Sequence, residues 1–298
     1  MKPAGSSTLR PDCAIALVAL IWGATFVIVK NALADVSTPI FLALRFTLGA
    51  LALSLIFRRR MSGPDRPSVL AGGAAVTGFF LFLGYFLQTS GLRHTTASNS
   101  AFLTGLFVVL VPLLGSLVKK TRPRLAEWAG AVLALAGTGL LAAPGGIASL
   151  GKGDLLTLGC AIAFSAHILS VEHYSQRMNY QLLSFLQVAA VAVLGALTSF
   201  WLEPPRLVWT PRLAFALGVT AVLATALSFA LYTWAQGRTT GTRAALLFSL
   251  EPVFAGLTAW WWAGEAWTLR SLAGAGLILG GILAVELKPA RLRPHPSG

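Results

Sequence analysis

The chain has 298 residues, 56% of them hydrophobic and only 11% charged, with a mean hydropathy of +0.74. Soluble domains run near a quarter charged, so a soluble core is excluded and the chain reads as an all-α integral membrane protein. The formal net charge is +13, but the cations sit in short loops between apolar runs, a pattern of membrane topology rather than of nucleic-acid binding.

Residues 1–11 are polar and lead into the first apolar run without a small-residue cleavage site, so they read as a cytoplasmic N-terminal segment ahead of an uncleaved helix. At roughly 20 residues per span, about ten transmembrane helices follow, near 12–33, 38–57, 68–91, 97–118, 125–143, 154–174, 180–201, 212–236, 242–263 and 269–287. Thr38-Pro39 reads as a helix cap with a first-turn proline, and Pro144-Gly145-Gly146 closes the fifth span. Residues 144–153 then connect two five-helix halves, 12–143 and 154–287, and 288–298 form a cytoplasmic tail. Cys13 and Cys160 fall within apolar spans and read as small buried hydrophobes rather than a disulfide.

With an even number of spans both termini share a side. Sixteen Lys and Arg residues fall on that side and six on the other, which makes the termini cytoplasmic. The halves also repeat. Thr96 pairs with Thr240, and the register runs without a gap to Gly137 and Gly281, matching Leu106 with Leu250 and Ala129-Gly130-Ala131 with Ala273-Gly274-Ala275. Earlier in the chain Asp12 pairs with Asp154, Trp22 with Phe164 and Arg45 with Gln187. Five spans per repeat is an odd number, so the halves cross the bilayer in opposite directions. Inverted repeats of this kind point to a transporter with its site near the midplane.

Chemistry is sought among residues that are costly inside a bilayer. Glu251, followed by Pro252, lies mid-span in 242–263, at a depth that matches Arg45 in 38–57. The two read as a pair, either a structural tie between the halves or a substrate-exchangeable one. Pro252 adds a lost backbone hydrogen bond and a kink, and the register sets Phe107 and Val108 opposite Glu251 and Pro252, a departure confined to the second half. His167 lies mid-span, and imidazole titrates near neutral pH; it is a polar site candidate or a satisfied packing histidine. Glu251 and His167 are the candidates for coupling to a proton. Trp22 and Tyr85 offer an aromatic wall, with ordinary helix packing as the other reading. Gln88 and Gln187 are uncharged hydrogen-bonders able to orient a polar substrate. The sequence has no phosphate-binding loop with lysine, no His/Cys metal cluster and no HExxH, so no catalytic residue, metal or cofactor is assigned.

IWGATF at 21–26, LRF at 44–46, LQTSGLRHTTASNSAFLTGLFVVLVP at 87–112, TTGTRAALLFSLEPVF at 239–254 and GAGLILGGILAV at 274–285 together resemble the bacterial EamA-type members of the drug/metabolite transporter superfamily. The resemblance implies ten helices in two inverted repeats around a central cavity, with the fifth and tenth at the periphery. Gly276 and Gly280 have the small-xxx-small spacing for such packing. It also implies export of amino acids or similar amphipathic metabolites across the bacterial inner membrane by alternating access. A lipid-linked sugar or nucleotide-sugar translocator is the second expectation, and a polytopic membrane enzyme a remote one. The expected partners are a small-molecule substrate, the lipid bilayer and a proton; monomer and homodimer are both compatible with the sequence.

Overall fold

The computed structural model describes residues 9–61, 67–95, 97–120, 123–142, 151–263 and 268–286. Most of the expected terminal segments and of the 144–153 connection lies outside them. The described residues are helical apart from short turns, with a single isolated bridge between Val36 and Leu207. In chain order the helices are α1 (Leu9–Ala32), α2 (Thr38–Phe57), α3 (Pro67–Leu92), α4 (Ala97–Gly105), α5 (Phe107–Lys119), α6 (Leu125–Ala142), α7 (Lys152–Tyr174), α8 (Tyr180–Thr198), α9 (Pro211–Ala221), α10 (Ser228–Gln236), α11 (Gly241–Phe248), α12 (Glu251–Ala263) and α13 (Leu269–Glu286). A π-helical segment, Val222–Leu227, fuses α9 to α10. Among the described residues six helical stretches are long and apolar enough to cross a membrane: α1, α2, α3, α7, α8 and the fused Pro211–Gln236.

Two expected spans are broken. The first divides at Leu106 into α4 and α5, and the second at Ser249-Leu250 into α11 and α12. Leu106 and Leu250 are register mates, so the break belongs to both halves. This corrects the reading of Pro252 as the cause of a kink unique to the second half. Pro252 is the second residue of α12, where a missing N–H costs no intrahelical bond. What the second half alone has at the break is the carboxylate of Glu251. The cap at α2 is also corrected. Thr38 is the first helical residue, the preceding Ser37 makes no side-chain cap, and the Thr38 amide donates instead to Glu203 Oε2 at 2.8 Å.

Polar ties gather at two ends of the bundle. One end, called here the terminal face, holds the start of α1 and the end of α13. There Arg243 donates to both oxygens of Asp12, and Lys119 pairs with Glu172 at 2.6 Å. At the far face Lys30 Nζ donates to the Thr95 carbonyl at 2.8 Å, and Thr95 Oγ1 donates to Asp154 Oδ1 at 2.7 Å. Arg212 grips Asp35 with Nε and Nη2 at 3.0 and 2.7 Å, and Thr210 adds a bond of 2.6 Å. Since Asp154 sits in the first turn of α7, the second half starts at the face opposite to the start of the first.

The hydrogen bonds from Arg212 and then Thr210 hold the Asp35 carboxyl below the usual carboxylate range. A depressed folded value means that the stabilisation is complete above the unfolded value, about 3.9, and is lost as pH falls through the lowered folded one. The Asp35→Asn variant is therefore expected to melt below the parent at neutral pH in detergent micelles, with the gap closing under acid conditions below about pH 4. A gap that stays constant through the acid limb counts against this account.

Helices α6 and α13 pack together through reciprocal glycines. A Cβ on Gly137 would lie 2.4 Å from the Gly274 carbonyl oxygen, and one on Gly281 would lie 2.6 Å from that of Gly130. Gly281 is the register mate of Gly137 and Gly274 that of Gly130, so the register exchanges the two contacts and the crossing sits on a pseudo-two-fold axis. Gly276 and Gly280, expected to form the contact stripe, have nothing within 4 Å of such a Cβ. The stripe that meets α6 is the neighbouring one, through Gly274 and Gly281. Cys13 is exposed at the bundle surface rather than buried, whereas Cys160 is buried, with Sγ 3.8 Å from Thr104 Oγ1.

Candidate functional site

A cavity between the halves encloses about 690 Å³ of non-protein space, the solvent at its mouth included. It receives Trp22 from α1, Arg45 from α2, Tyr85 and Gln88 from α3, His167 from α7 and Glu251 from α12. Six of the seven residues singled out in the sequence thus converge on one space. Gln187, the seventh, is not on the cavity wall. It is fully buried on α8 behind His167, with its Oε1 2.8 Å from His167 Nε2 and its Nε2 donating to Thr233 Oγ1 at 2.9 Å. It can act on a ligand only by holding the imidazole.

Arg45 is 3% exposed, and its place is set by the π segment. The wider turn carries the Ser228 amide back to the Leu223 carbonyl, five residues earlier. The Ala224 carbonyl and the Thr225 hydroxyl are thereby turned toward α1 and α2. Ala224 O accepts from Trp22 Nε1 at 2.9 Å and from Arg45 Nη2 at 3.3 Å, and Thr225 Oγ1 accepts from Arg45 Nε at 2.9 Å. The guanidinium carbon lies 4.8 Å from the Tyr85 ring centroid and 5.2 Å from that of Phe46, a cation–π arrangement that partly replaces lost hydration. Gly49 permits this packing, since a Cβ there would meet Thr225 Cγ2 at 2.6 Å.

Glu251 is the first residue of α12 and 8% exposed. Its position at a helix N-terminus sets it near the positive end of the helix dipole. Close contact with α1 fixes that terminus: a Cβ on Gly23 would stand 2.5 Å from the Glu251 carbonyl oxygen. No ion pair joins Arg45 to Glu251, which corrects the expected pairing. The ion pairs among the described residues are Arg93–Glu203, Lys119–Glu172, Arg212–Asp35 and Arg243–Asp12. The depths of Arg45 and Glu251 agree, but Arg45 is drawn onto the π segment and Glu251 is held on the α1 side. Arg45 and Glu251 therefore share one cavity without pairing with each other.

The rest of the wall is aromatic and aliphatic apart from three threonines. Trp22 stacks on Phe248 with centroids 5.1 Å apart, Tyr232 meets Phe248 edge-on at 5.4 Å, and Tyr85 meets Phe164 edge-on at 5.3 Å. Gln88 Nε2 donates to Thr104 Oγ1 at 3.2 Å. Phe107, Phe164, Tyr232, Phe248 and Thr104 were not singled out from the sequence. The register carried a signal for three of them, since Phe164 is the mate of Trp22, Tyr232 the mate of Gln88 and Phe107 the mate of Glu251. The π segment has no such signal in VLATAL.

The sequence profile of the EamA-like transporter family matches residues 9–143 and, a second time, 151–287. The chain belongs to the EamA-like transporter family. This EamA chain is 36% identical over 284 residues to an uncharacterised transporter of Archaeoglobus fulgidus, covering 95% of this chain and 88% of the relative. It is 24% identical over 285 residues to an uncharacterised transporter of Bacillus subtilis, covering 94% and 92%. A probable terminal-alkyne amino-acid exporter of Streptantibioticus cattleyicolor is 22% identical over 294 residues, covering 95% and 96%. A protein known from a crystal structure superposes with a TM-score of 0.75 at 21% identity, over 92% of this chain and 96% of that one. That last likeness is one of fold. The two family matches coincide with the two halves that meet at the cavity, so this EamA protein is a multi-pass membrane transporter built from two repeats.

Proposed function

We propose that the protein is a secondary transporter that exports small amphipathic metabolites, amino acids first, by alternating access in a bacterial inner membrane. The observation that carries this reading is the cavity itself. An arginine and a glutamate, each without an ionic partner among the described residues, face a largely apolar space with several aromatic rings between two repeats. A zwitterion with an apolar side chain has the matching chemistry: a carboxylate for Arg45, an ammonium for Glu251 and an apolar body for Trp22, Tyr85 and Phe248. The broken helices add support, because discontinuous spans meeting at mid-depth are the usual setting of transporter sites. The name of the Streptantibioticus cattleyicolor relative points the same way.

In this reading each broken pair makes one crossing, giving ten crossings in two inverted five-span repeats. The terminal face is cytoplasmic, since it carries the excess of Lys and Arg. Glu251 and His167 are the groups proposed to exchange a proton against the substrate. A lipid-linked sugar or nucleotide-sugar cargo is disfavoured, because a pyrophosphate needs several cations and Arg45 is the one that lines the cavity among the described residues.

Purified protein in liposomes, preloaded with an unlabelled amino acid and challenged with a labelled panel, tests the proposal by counterflow. Uptake of at least one apolar or aromatic amino acid is the expected result. Silence across the panel together with flipping of a lipid probe would overturn it.

A further inference from the structure

The cavity is lopsided. Toward the far face its lining includes Val29, Thr89 and Leu92, which lie at or within a turn of the ends of α1 and α3. Toward the terminal face the lining stops at His167, Ile168, Tyr232 and Phe248. The register makes this asymmetry readable. Pro67–Leu92 and Pro211–Gln236 each have 26 residues, so Gln88 pairs with Tyr232, Thr89 with Thr233 and Leu92 with Gln236. Thr89 and Leu92 line the cavity, whereas their mates Thr233 and Gln236 do not, although all four are buried.

The residues that follow these helices differ in the same sense. At the far face Arg93 reaches across to the α1–α2 turn, donating to the carbonyls of Leu33 and Val36 and pairing with Glu203. Its mate is Gly237, and the mate of Leu33 is Ser175. Where Arg93 reaches across at the far face, Gly237 has no side chain to span a gap at the terminal face. The backbones close directly, and a Cβ on Gly237 would stand 3.1 Å from the Ser175 carbonyl oxygen. This tight closure traps polar atoms. The Tyr232 hydroxyl, both amide atoms of Gln236 and the Thr239 hydroxyl are buried without a hydrogen-bond partner among the described residues. Unpaired buried polar groups are costly, and a native protein that keeps several of them together calls for a reason.

We infer that Tyr232, Gln236 and Thr239 line the terminal-face route by which a polar, water-miscible solute reaches the cavity, closed in this structure by the Gly237–Ser175 contact. The inference rests on the alternating-access reading above. When the repeats exchange conformations, the second half takes the arrangement that the first half has here. Tyr232, Thr233 and Gln236 then line the cavity as Gln88, Thr89 and Leu92 do now, and the orphaned groups gain water or substrate. Tyr232 belongs to both states, because its ring already lines the cavity while its hydroxyl lies on the closed side.

The test uses the full chain with Cys13→Ser and Cys160→Ala, carrying Gln236→Cys, Thr239→Cys or Thr89→Cys singly. A charged, membrane-impermeant methanethiosulfonate is applied to inside-out and right-side-out vesicles. Modification at positions 236 and 239 is expected only from the terminal face and slowly. Adding Gly237→Val, or the smaller Gly237→Ala, wedges the closed contact and should speed modification there by about tenfold, a shift of one decade between the two states. Modification at position 89 should slow in parallel. Rates at 236 and 239 that ignore both wedges, or modification reaching them from the far face, would overturn the route. Counterflow in the same vesicles separates the two claims. Flux without any switch in labelling removes the route and leaves transport standing. Switching without flux of any amino acid leaves the route and removes the amino-acid cargo.

Discussion

Replacing Glu251 with glutamine is expected to lower counterflow of the transported amino acid by about thirtyfold or more while leaving the folded protein as stable as the parent, or more so. The two halves of this expectation come from one fact. The Glu251 carboxylate is buried, and no side chain among the described residues pairs with it. A charge held this way raises the free energy of the fold, and a neutral isostere removes that cost without opening a gap. For a ligand bearing an ammonium group the same charge is the partner that completes a charge-assisted bond, worth about 2 kcal/mol or more in a dry site. Stability and transport therefore move in opposite directions, the pattern of a residue retained for function. Melting in detergent micelles and counterflow on one preparation read both. A purely architectural Glu251 would give the reverse, a lower melting temperature with flux per folded molecule intact. A proton-coupling role gives a third pattern: exchange survives in Glu251→Gln, but uphill movement driven by a pH gradient is lost.

Arg45 supplies the contrast. Its guanidinium is already held by Ala224 O, Thr225 Oγ1 and the Tyr85 ring. Arg45→Lys keeps the charge but loses the planar fork and the stacked face. It is expected to lower both the melting temperature and the flux, and a variant that kept parental values of both would remove Arg45 from the site.

The membrane class and the course of the helices were open to reading from the sequence because bilayer physics is coarse. A span needs length and apolarity, and the Lys and Arg of the loops mark the faces. Trp22, Arg45, Tyr85, Gln88, His167 and Glu251 could be picked out because mid-membrane polar and aromatic groups are costly or distinctive, and all six meet in one cavity. The failures share a cause. Depth along a helix can be counted in residues, but rotation about its axis is set by neighbours. Gln187 has the depth of a site residue, yet α8 turns it behind His167. Arg45 and Glu251 agree in depth and differ in direction. The glycines at 276 and 280 have a packing spacing, yet the face that meets α6 is the one bearing Gly274 and Gly281. The breaks at Leu106 and Ser249-Leu250 are marked only weakly, by Gly105 just before the one and Pro252 just after the other. The backbone is tightened locally at both, with the Leu106 N–H donating to the Leu103 carbonyl and those of Ser249 and Leu250 to the Leu246 and Leu247 carbonyls.

The glycine contrast gives the second large effect. Gly281→Ala would put a methyl 2.6 Å from the Gly130 carbonyl oxygen and 3.2 Å from the Ala134 nitrogen. Both are backbone atoms in the middle of α6, so no rotamer change relieves the clash and one helix must move off the other. Overpacking of this kind costs about 1–3 kcal/mol. Gly276→Ala, five residues earlier on α13, meets nothing within 4 Å. There the restricted unfolded chain and better helix propensity favour alanine by about 0.5–1 kcal/mol. Melting temperatures in detergent should therefore shift in opposite directions for two identical substitutions on one helix. Equal destabilisation by both would mean that the α6–α13 crossing is misassigned. Gly137→Ala makes the mirror-image clash, 2.4 Å from the Gly274 carbonyl oxygen. Once the helices have separated to admit one methyl the second meets less resistance, so the double variant should lose less than the sum of the singles. No described residue of α6 or α13 lines the cavity. Counterflow per folded molecule should accordingly stay near the parental rate in Gly281→Ala even as its melting temperature falls, which separates this peripheral pair, as scaffold, from the helices that carry the substrate.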